Sequence, residues 1–239
     1  MPLPTIVTPT YDLELPSTGK KIKYRPFLVK EEKLLVLALE TENTKDISTA
    51  IKTVLKNCIQ TRGVKVDNLP TFDIEYLFLN IRGKSVGEEI EVNLIAPDDE
   101  ETSVPVTINI DDIKISKKKD HSNKIKLDES LVMEMKYPSL DEFVKNNFDF
   151  DGEVDMDQSF DLIASCIDKI YNEEEVWSTA DCTKKEVKDF LEQMNSMQFK
   201  EIETFFDSMP KLSHSVTFTN PKTKVESTVV LEGLSSFFE

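Results

Sequence analysis

Glycine, cysteine and long apolar runs are all scarce in this sequence. Only six of its 239 residues are glycine, which argues against a glycine-rich β architecture. The three cysteines, Cys58, Cys166 and Cys182, are an odd number at wide spacings, as expected for free thiols in a reducing cytosol. The longest uninterrupted aliphatic run spans residues 34–39, and the sequence does not start with a charged segment followed by an apolar run. We therefore expect neither export nor a membrane span.

Positive charge is also in short supply. The sequence has 29 lysines and arginines against 45 aspartates and glutamates, which gives a net charge of -16. A surface of this sign repels the phosphates of nucleic acids and anionic membranes, so we expect no nucleic acid and no membrane among the partners. The partners are predicted to be proteins. A hydrophobic content of 39% is enough for one substantial core or two small ones.

The residue patterns of common catalytic and metal sites are missing. The two histidines, His121 and His214, are far apart, and the sequence has no CxxC, HExxH or glycine-rich phosphate loop. The tail at 233–237 lacks the second glycine of a nucleophile elbow. The sequence therefore predicts a protein that is not an enzyme and has no cofactor.

The spacing of apolar residues changes repeatedly between helical and strand periods. It predicts helices over 30–40 and 46–61, and a third helix with Thr71 as its N-cap that ends near Gly83. Another helical stripe runs from Phe160 through Cys166 to Ile170, and two more helices follow. Alternating segments predict hairpins over 11–28, 89–110 and 214–232, and two short strands over 124–138.

These elements predict an α+β fold of two mainly helical lobes, each with a β-hairpin. Residues 1–113 form the predicted N-terminal lobe, with a hairpin, three helices and a second hairpin. Residues 114–138 are a lysine-rich connector, read as a solvated turn, with the short strands. Residues 139–239 are a C-terminal helical lobe with the final hairpin and an aromatic tail.

Residues 147–158 raise an alternative function, a calcium-responsive binding module. Read as an EF-hand loop, the segment offers oxygen donors at Asn147, Asp149, Asp151 and Asp155. Position twelve, which normally supplies a bidentate glutamate, is Gln158, whose neutral amide cannot replace it. We therefore prefer an acidic turn between helices, with no specific metal.

Two other segments are candidate partner-binding sites. The N-terminal hairpin carries Lys21, Lys23 and Arg25 in an otherwise acidic chain, which favours contact with an acidic neighbour or self-association into a homo-oligomer. The tail carries Phe237 and Phe238. These aromatics are predicted either to fold back on the helical stripe of Phe199, Ile202 and Phe206 or to insert into a partner as an anchor.

Several short segments carry a likeness to a known family. They are KYRPF at 23–27 with KEEK at 30–33, QF at 198–199, FF at 205–206 with MP at 209–210, and LEGL at 231–234 with FF at 237–238. With these segments the chain resembles, over nearly its full length, the baseplate hub protein family of T-even-like contractile-tailed bacteriophages.

The resemblance implies a viral protein that is made in the host cytoplasm and binds other phage tail or baseplate hub proteins, with the tape-measure protein as one candidate. It leaves open a structural subunit of the virion tail baseplate or an assembly chaperone. Some members of the family carry paired cysteines in the final hairpin, where this chain has FTNPK at 218–222. A zinc-ribbon role is therefore not expected here.

The composition of the acidic loop predicts the outcome of a calcium titration. Because Asn147 and Gln158 weaken the ligand set, calorimetry should show no stoichiometric binding tighter than about 10⁻⁴ M. A tight one-to-one isotherm that Asp151→Ala abolishes would contradict this prediction.

Overall fold

The structure is a computed structural model that describes residues 6–140 and 156–237. The helices in these residues are α1 (Val29–Leu39), α2 (Thr44–Cys58), α3 (Thr71–Val86), α4 (Met156–Ser165), α5 (Lys184–Glu192) and α6 (Ser196–Ser208). The strands are β1 (Tyr11–Glu14), β2 (Lys21–Tyr24), β3 (Glu89–Ile95), β4 (Ser103–Asn109), β5 (Lys114–Ser116), β6 (Lys124–Lys126), β7 (Val132–Met135), β8 (Ile167–Tyr171), β9 (Val176–Ser178), β10 (Lys211–Thr219) and β11 (Glu226–Glu232). The predicted α+β fold class is confirmed.

The N-terminal elements follow the sequence pattern closely. β1 and β2 form an antiparallel hairpin in which Ile22 and Tyr24 are buried and the residues between them are exposed, as strand alternation requires. α2 begins after Asn43, whose side chain accepts hydrogen bonds from the backbone N–H groups of Lys45 and Asp46. The apolar stripe of this helix, from Ile47 to Cys58, is buried, which confirms the helical interpretation, but the helix ends at Cys58 and not at the predicted residue 61.

α3 departs from the prediction at both ends. Thr71 is the first helical residue and not the N-cap, because Pro70 holds that position and the Thr71 amide donates to the Pro138 carbonyl at 3.0 Å. Gly83 does not end the helix, which continues to Val86. A Cβ at Gly83 would lie 2.9 Å from Ile110 Cδ1, so this glycine serves the close packing of α3 against the segment after β4.

The hairpins β3–β4 and β10–β11 are linked through their turns. Asn220, which is fully buried, donates from Nδ2 to the Asp98 carboxylate at 3.0 Å, and Thr223 also hydrogen-bonds to Asp98. These hydrogen bonds lower the pKa of Asp98, and the one from Thr223 has the largest effect. The acidic turn of β3–β4 therefore accepts hydrogen bonds from the turn of β10–β11.

The lysine-rich connector is more ordered than a solvated turn. β5 pairs antiparallel with β10, which gives a three-stranded sheet in the order β11, β10, β5. Lys117 donates to the Pro16 carbonyl at 2.6 Å, and Lys118 donates to the Asp207 carbonyl at 2.9 Å. The connector thus contacts both the first hairpin and the end of α6.

The helical stripe predicted over 160–170 is wrong in its second half. α4 ends at Ser165, and β8 then pairs with β7 on one side and β9 on the other. These strands complete a four-stranded sheet in the order β6, β7, β8, β9. The β-branched residues Ile167 and Ile170 suit either structure, and pairing with two neighbouring strands selects the extended one.

In residues 6–140 and 156–237, buried side chains form two apolar clusters. The first cluster combines the N-terminal hairpin, α2, α3 and β3–β4 with the C-terminal hairpin and tail, through Leu212, Val216, Leu231 and Phe237. The second cluster joins β6, β7 and β8 to α5 and α6. The final hairpin therefore packs with elements from the first half of the chain. Division into domains at 1–113, 114–138 and 139–239 stays a prediction.

Aromatic rings connect α3 to α6 between the two clusters. Tyr137 meets Phe72 edge to face, with ring centroids 5.0 Å apart, and also lies near Phe205 at 5.8 Å. His121 lies against both Tyr137 and Phe205, and its ring nitrogens are 2.9 Å from Ser208 Oγ and from the Tyr137 hydroxyl. Burial lowers the pKa of His121, so the folded chain favours the neutral ring.

The lowered pKa of His121 predicts a pH-dependent stability. Since the unfolded chain binds a proton more readily than the folded chain, the free energy of unfolding should fall as the pH decreases through about 6.5. Urea unfolding between about pH 7.5 and about pH 5.5 measures this loss. In His121→Gln, which cannot titrate, that part of the pH dependence should vanish. An equal dependence in both proteins would contradict the prediction.

Candidate interaction surfaces

Lys21 and Lys23 of the N-terminal hairpin lie on its outer face. Strand alternation exposes Lys21 and Lys23 while Ile22 is buried between them. The antiparallel register places Glu14 opposite Lys21 and Asp12 opposite Lys23. Opposite charges across a strand pair attract each other weakly, so this face is internally balanced as well as accessible. Partner binding by Lys21 and Lys23 stays a prediction.

Arg25 faces the interior of the chain and holds the carboxylate of Glu31. Arg25 Nη2 lies 3.0 Å from Glu31 Oε1, and the two side chains are only 13% and 1% exposed. Arg25 Nη1 also donates to the Pro26 carbonyl at 2.8 Å. Glu31 accepts further hydrogen bonds from the Leu28 amide at 2.9 Å and from Asn57 Nδ2 at 3.4 Å. The pair therefore joins the segment directly after β2, the start of α1 and the end of α2.

The hydrogen bonds around Glu31 keep its buried carboxylate charged. Burial by itself raises the pKa of Glu31, but the hydrogen bonds from Arg25 and Leu28 and the charges of Arg25 and Lys30 outweigh it. The pKa consequently lies below its usual value. A buried ion pair of this kind fixes the geometry of the segments that carry it.

α1 exposes most of its apolar side chains. Ala38 is the only apolar residue of the helix that is fully buried, with Glu31 beside it on the inner face. The exposed side chains are Val29 (79%), Leu34 (37%), Val36 (51%), Leu37 (50%) and Leu39 (41%). The longest aliphatic run of the sequence is thus largely a surface feature, although its pattern suggests a core helix. Contiguous exposed apolar residues of this kind are typical of protein interaction sites.

A groove of about 530 Å³ runs beside α1, and we call it the α1 groove. Val36 and Leu39 form one wall, and Phe78 and Val86 of α3 form the other. Charged residues also line it, namely Glu32, Arg82, Glu89 and Glu91. An apolar floor with charged groups around it is the usual composition of a protein-binding groove.

The aromatic tail supplies part of the groove lining. Gly233 has a φ of 75°, which turns the chain after β11, and its amide donates to the Leu212 carbonyl at 2.9 Å. Leu234 and Phe237 are then buried in the first cluster and line the α1 groove. The expectation that the tail packs on its own chain is confirmed for Phe237, but the surface is not the predicted stripe of α6. Phe238 lies outside the described residues.

The structure adds nothing on the calcium alternative. Asn147, Asp149, Asp151 and Asp155 lie outside the described residues. Within residues 6–140 and 156–237, no three histidine, cysteine, aspartate or glutamate side chains are grouped so that they could hold a metal ion. No helix in the same residues has the length and apolar character needed to cross a membrane.

Removing the charge of Glu31 should destabilise the fold. Glu31→Gln leaves Arg25 buried without its counter-charge, which costs about 3 kcal/mol of unfolding free energy. The neighbouring Glu32 is exposed and provides the matched control, since Glu32→Gln should change the unfolding free energy by less than about 0.5 kcal/mol. Urea unfolding of both variants measures the difference. Similar midpoints for the two variants would show that the pair does not anchor α1.

Comparison with known proteins places the chain in a family. The family model described as T4 bacteriophage base plate protein matches residues 8–239, which is nearly the whole chain. Neither the curated proteins nor the solved structures include a significant match. The match spans both apolar clusters and includes α1, its groove and the C-terminal tail. The chain belongs to the T4 bacteriophage base plate protein family.

Proposed function

We propose that this baseplate protein works without catalysis, by binding other phage tail proteins during assembly of the baseplate hub. The exposed apolar surface of α1 and its groove carry the proposal. In this role the chain is a hub subunit or an assembly chaperone that acts in the host cytoplasm. Hub proteins and the tape-measure protein are the proposed partners.

The construction of α1 supports a binding role. A helix that contributes little to the core is held in place by the ion pair of Arg25 and Glu31, so its apolar side chains are presented in a fixed geometry. Fixing a binding surface before the partner arrives reduces the entropy lost on association. The groove beside the helix, at about 530 Å³, has the volume to receive an apolar side chain from the partner.

The charge of the chain supports selectivity in this binding. A net charge of -16 repels other acidic proteins and nucleic acid, while the apolar α1 surface remains available for a complementary partner. The lysines of the N-terminal hairpin provide a small region of opposite sign. Contact of Lys21 and Lys23 with an acidic neighbour, or with a second copy of the chain, is part of the same proposal.

The α1 surface can be tested with a charged double variant. Val36→Asp combined with Leu39→Asp places two carboxylates in the groove wall, where each should cost the complex about 2 kcal/mol, or a factor of about thirty in affinity. Tagged protein is purified from phage-infected cells, and copurified hub and tape-measure proteins are quantified by mass spectrometry. The double variant should lose these proteins while its thermal unfolding stays close to that of the original chain.

Val230→Asp is the matched control for this experiment. Val230 is 54% exposed on β11, close to the exposure of Val36, but it does not line the groove. This control should retain the hub proteins. Equal capture by the double variant and the control would overturn the proposal. Mass spectrometry of purified virions separates a retained subunit, which is found in the particles, from an assembly chaperone, which is not.

A further inference from the structure

A second apolar cavity lies on the sheet of the second cluster, and we call it the Trp177 pocket. It has a volume of about 340 Å³. Its apolar lining comes from Leu131, Ile170, Trp177, Val187 and Phe190. Trp177 is the only tryptophan of the chain and is 42% exposed, and its neighbour Val176 is 67% exposed. A half-exposed tryptophan beside an apolar cavity is the residue type most often found at the centre of binding surfaces.

The polar groups of the Trp177 pocket are already bonded within the chain. Thr179 Oγ1 donates to the carbonyls of Ile167 and Asp168, at 2.7 and 2.9 Å. The Glu186 carboxylate accepts from the amide and the hydroxyl of Thr183, at 2.7 and 2.8 Å, in a capping box at the start of α5. With these groups engaged, the cavity suits an apolar side chain better than a polar ligand.

The turn that leads into the strand of Trp177 is negatively charged. The turn between β8 and β9 carries Glu173, Glu174 and Glu175, all exposed, and leads directly into the strand of Trp177. Asn172 fixes this turn, because its Oδ1 accepts from the amides of Glu174 and Glu175 at 2.9 and 2.7 Å. Three exposed carboxylates within four residues of Trp177 attract a cation that accompanies the apolar group.

The nearby lysines reduce this negative charge only in part. Lys169 pairs with Glu134 at 3.3 Å, and Lys188 pairs with Asp161 at 2.8 Å, so both have acidic partners of their own. Lys184 and Lys185 lie in the first turn of α5, the helix that lines the pocket through Val187 and Phe190. They therefore belong to the α5 side of the pocket and not to the β8–β9 side. The negative region is therefore on the β8–β9 side, and the cation should bind there.

We propose that the Trp177 pocket binds a short basic segment of another protein, with one bulky apolar side chain in the cavity and lysine or arginine residues against the Glu173–Glu175 turn. Trp177 lies on β9, the last strand of its sheet in the described residues, so the pocket is at the sheet edge, where an extended segment has access. This site is separate from the α1 groove. The test of the Trp177 pocket uses synthetic peptides and no phage tail protein. Its failure would therefore leave the proposal for the α1 surface standing, and the reverse also holds.

The pocket contains two natural reporters of occupancy. Trp177 is the only indole, so intrinsic tryptophan fluorescence reports on this site alone. Cys182 lines the pocket and is exposed, whereas Cys58 and Cys166 are buried, so a thiol reagent should modify Cys182 first. Cys182→Ser, which should remove the fast phase of modification, confirms this assignment.

The probes are three synthetic hexapeptides of equal length, which differ in either the central apolar pair or the flanking charge. KKFLKK carries the apolar anchor and positive charge, KKSSKK lacks the anchor, and EEFLEE carries the anchor with the opposite charge. KKFLKK should shift the Trp177 emission to shorter wavelength. At a concentration of about twice its Kd it should slow Cys182 modification about threefold, as mass action requires. KKSSKK and EEFLEE should leave both signals unchanged at that concentration.

Charge reversal of the turn provides the decisive variant. Replacing Glu173, Glu174 and Glu175 with lysine changes only exposed side chains, and it should transfer the response from KKFLKK to EEFLEE. Phe190→Ala should weaken the binding of KKFLKK to the original protein and of EEFLEE to the charge-reversed protein. Thermal unfolding checks that the Phe190→Ala variant is folded. The proposal is overturned if no peptide gives a response, if KKSSKK acts as strongly as KKFLKK, or if the reversed turn does not change the preference. Protection of Cys182 that rises with protein concentration alone would instead identify a second copy as the occupant and would also overturn it.

Discussion

The buried carboxylate of Glu31 is the point on which the N-terminal surface depends. Its ion pair and hydrogen bonds come from the residue after β2, the segment before α1 and the end of α2, so one charged group connects three parts of the fold. Apolar packing of α1 is limited to Ala38 and the partly buried Leu35, because most of its other apolar side chains are exposed. A buried charge without a partner is very unfavourable, and this penalty makes the arrangement specific. The apolar surface of α1 and its groove follow from this anchoring.

Closure of the chain on itself is the second organising feature. The C-terminal hairpin contributes to the first cluster, and its turn holds that of β3–β4 through Asn220 and Asp98. Phe237 then lines the groove beside α1, so the last part of the chain completes a surface that begins near residue 29. The second cluster is linked to this body through Tyr137 and His121. Interactions between distant parts of the sequence thus shape both candidate surfaces.

The two candidate surfaces have different chemistry, which suits a protein of a multi-component assembly. The α1 groove is mostly apolar with charges of both signs around it, while the Trp177 pocket combines an apolar cavity with a turn of three glutamates. Surfaces of different character select different partners, because an occupant that suits one leaves unpaired charge or exposed apolar area at the other. Membership of the T4 base plate family is consistent with a molecule whose described residues carry two candidate binding surfaces.

The sequence by itself determined the local structure. Apolar spacing identified the α+β class, the hairpins and helices such as α2, because the local period reflects which face of an element is buried. Apolar spacing gave the wrong structure where the conformation of a segment depended on the elements packed around it. The second half of the predicted stripe is the strand β8, which pairs with β7 and β9. Gly83 does not end α3, because it lies inside the helix where the chain packs closely against Ile110. The three basic residues of the N-terminal hairpin looked alike in sequence, but Lys21 and Lys23 lie on an exposed face, whereas Arg25 turns inward to Glu31. The exposure of α1, the burial of Phe237 and the Trp177 pocket were decided only by the tertiary structure, since each depends on contacts between residues far apart in the chain, which a periodic pattern does not encode.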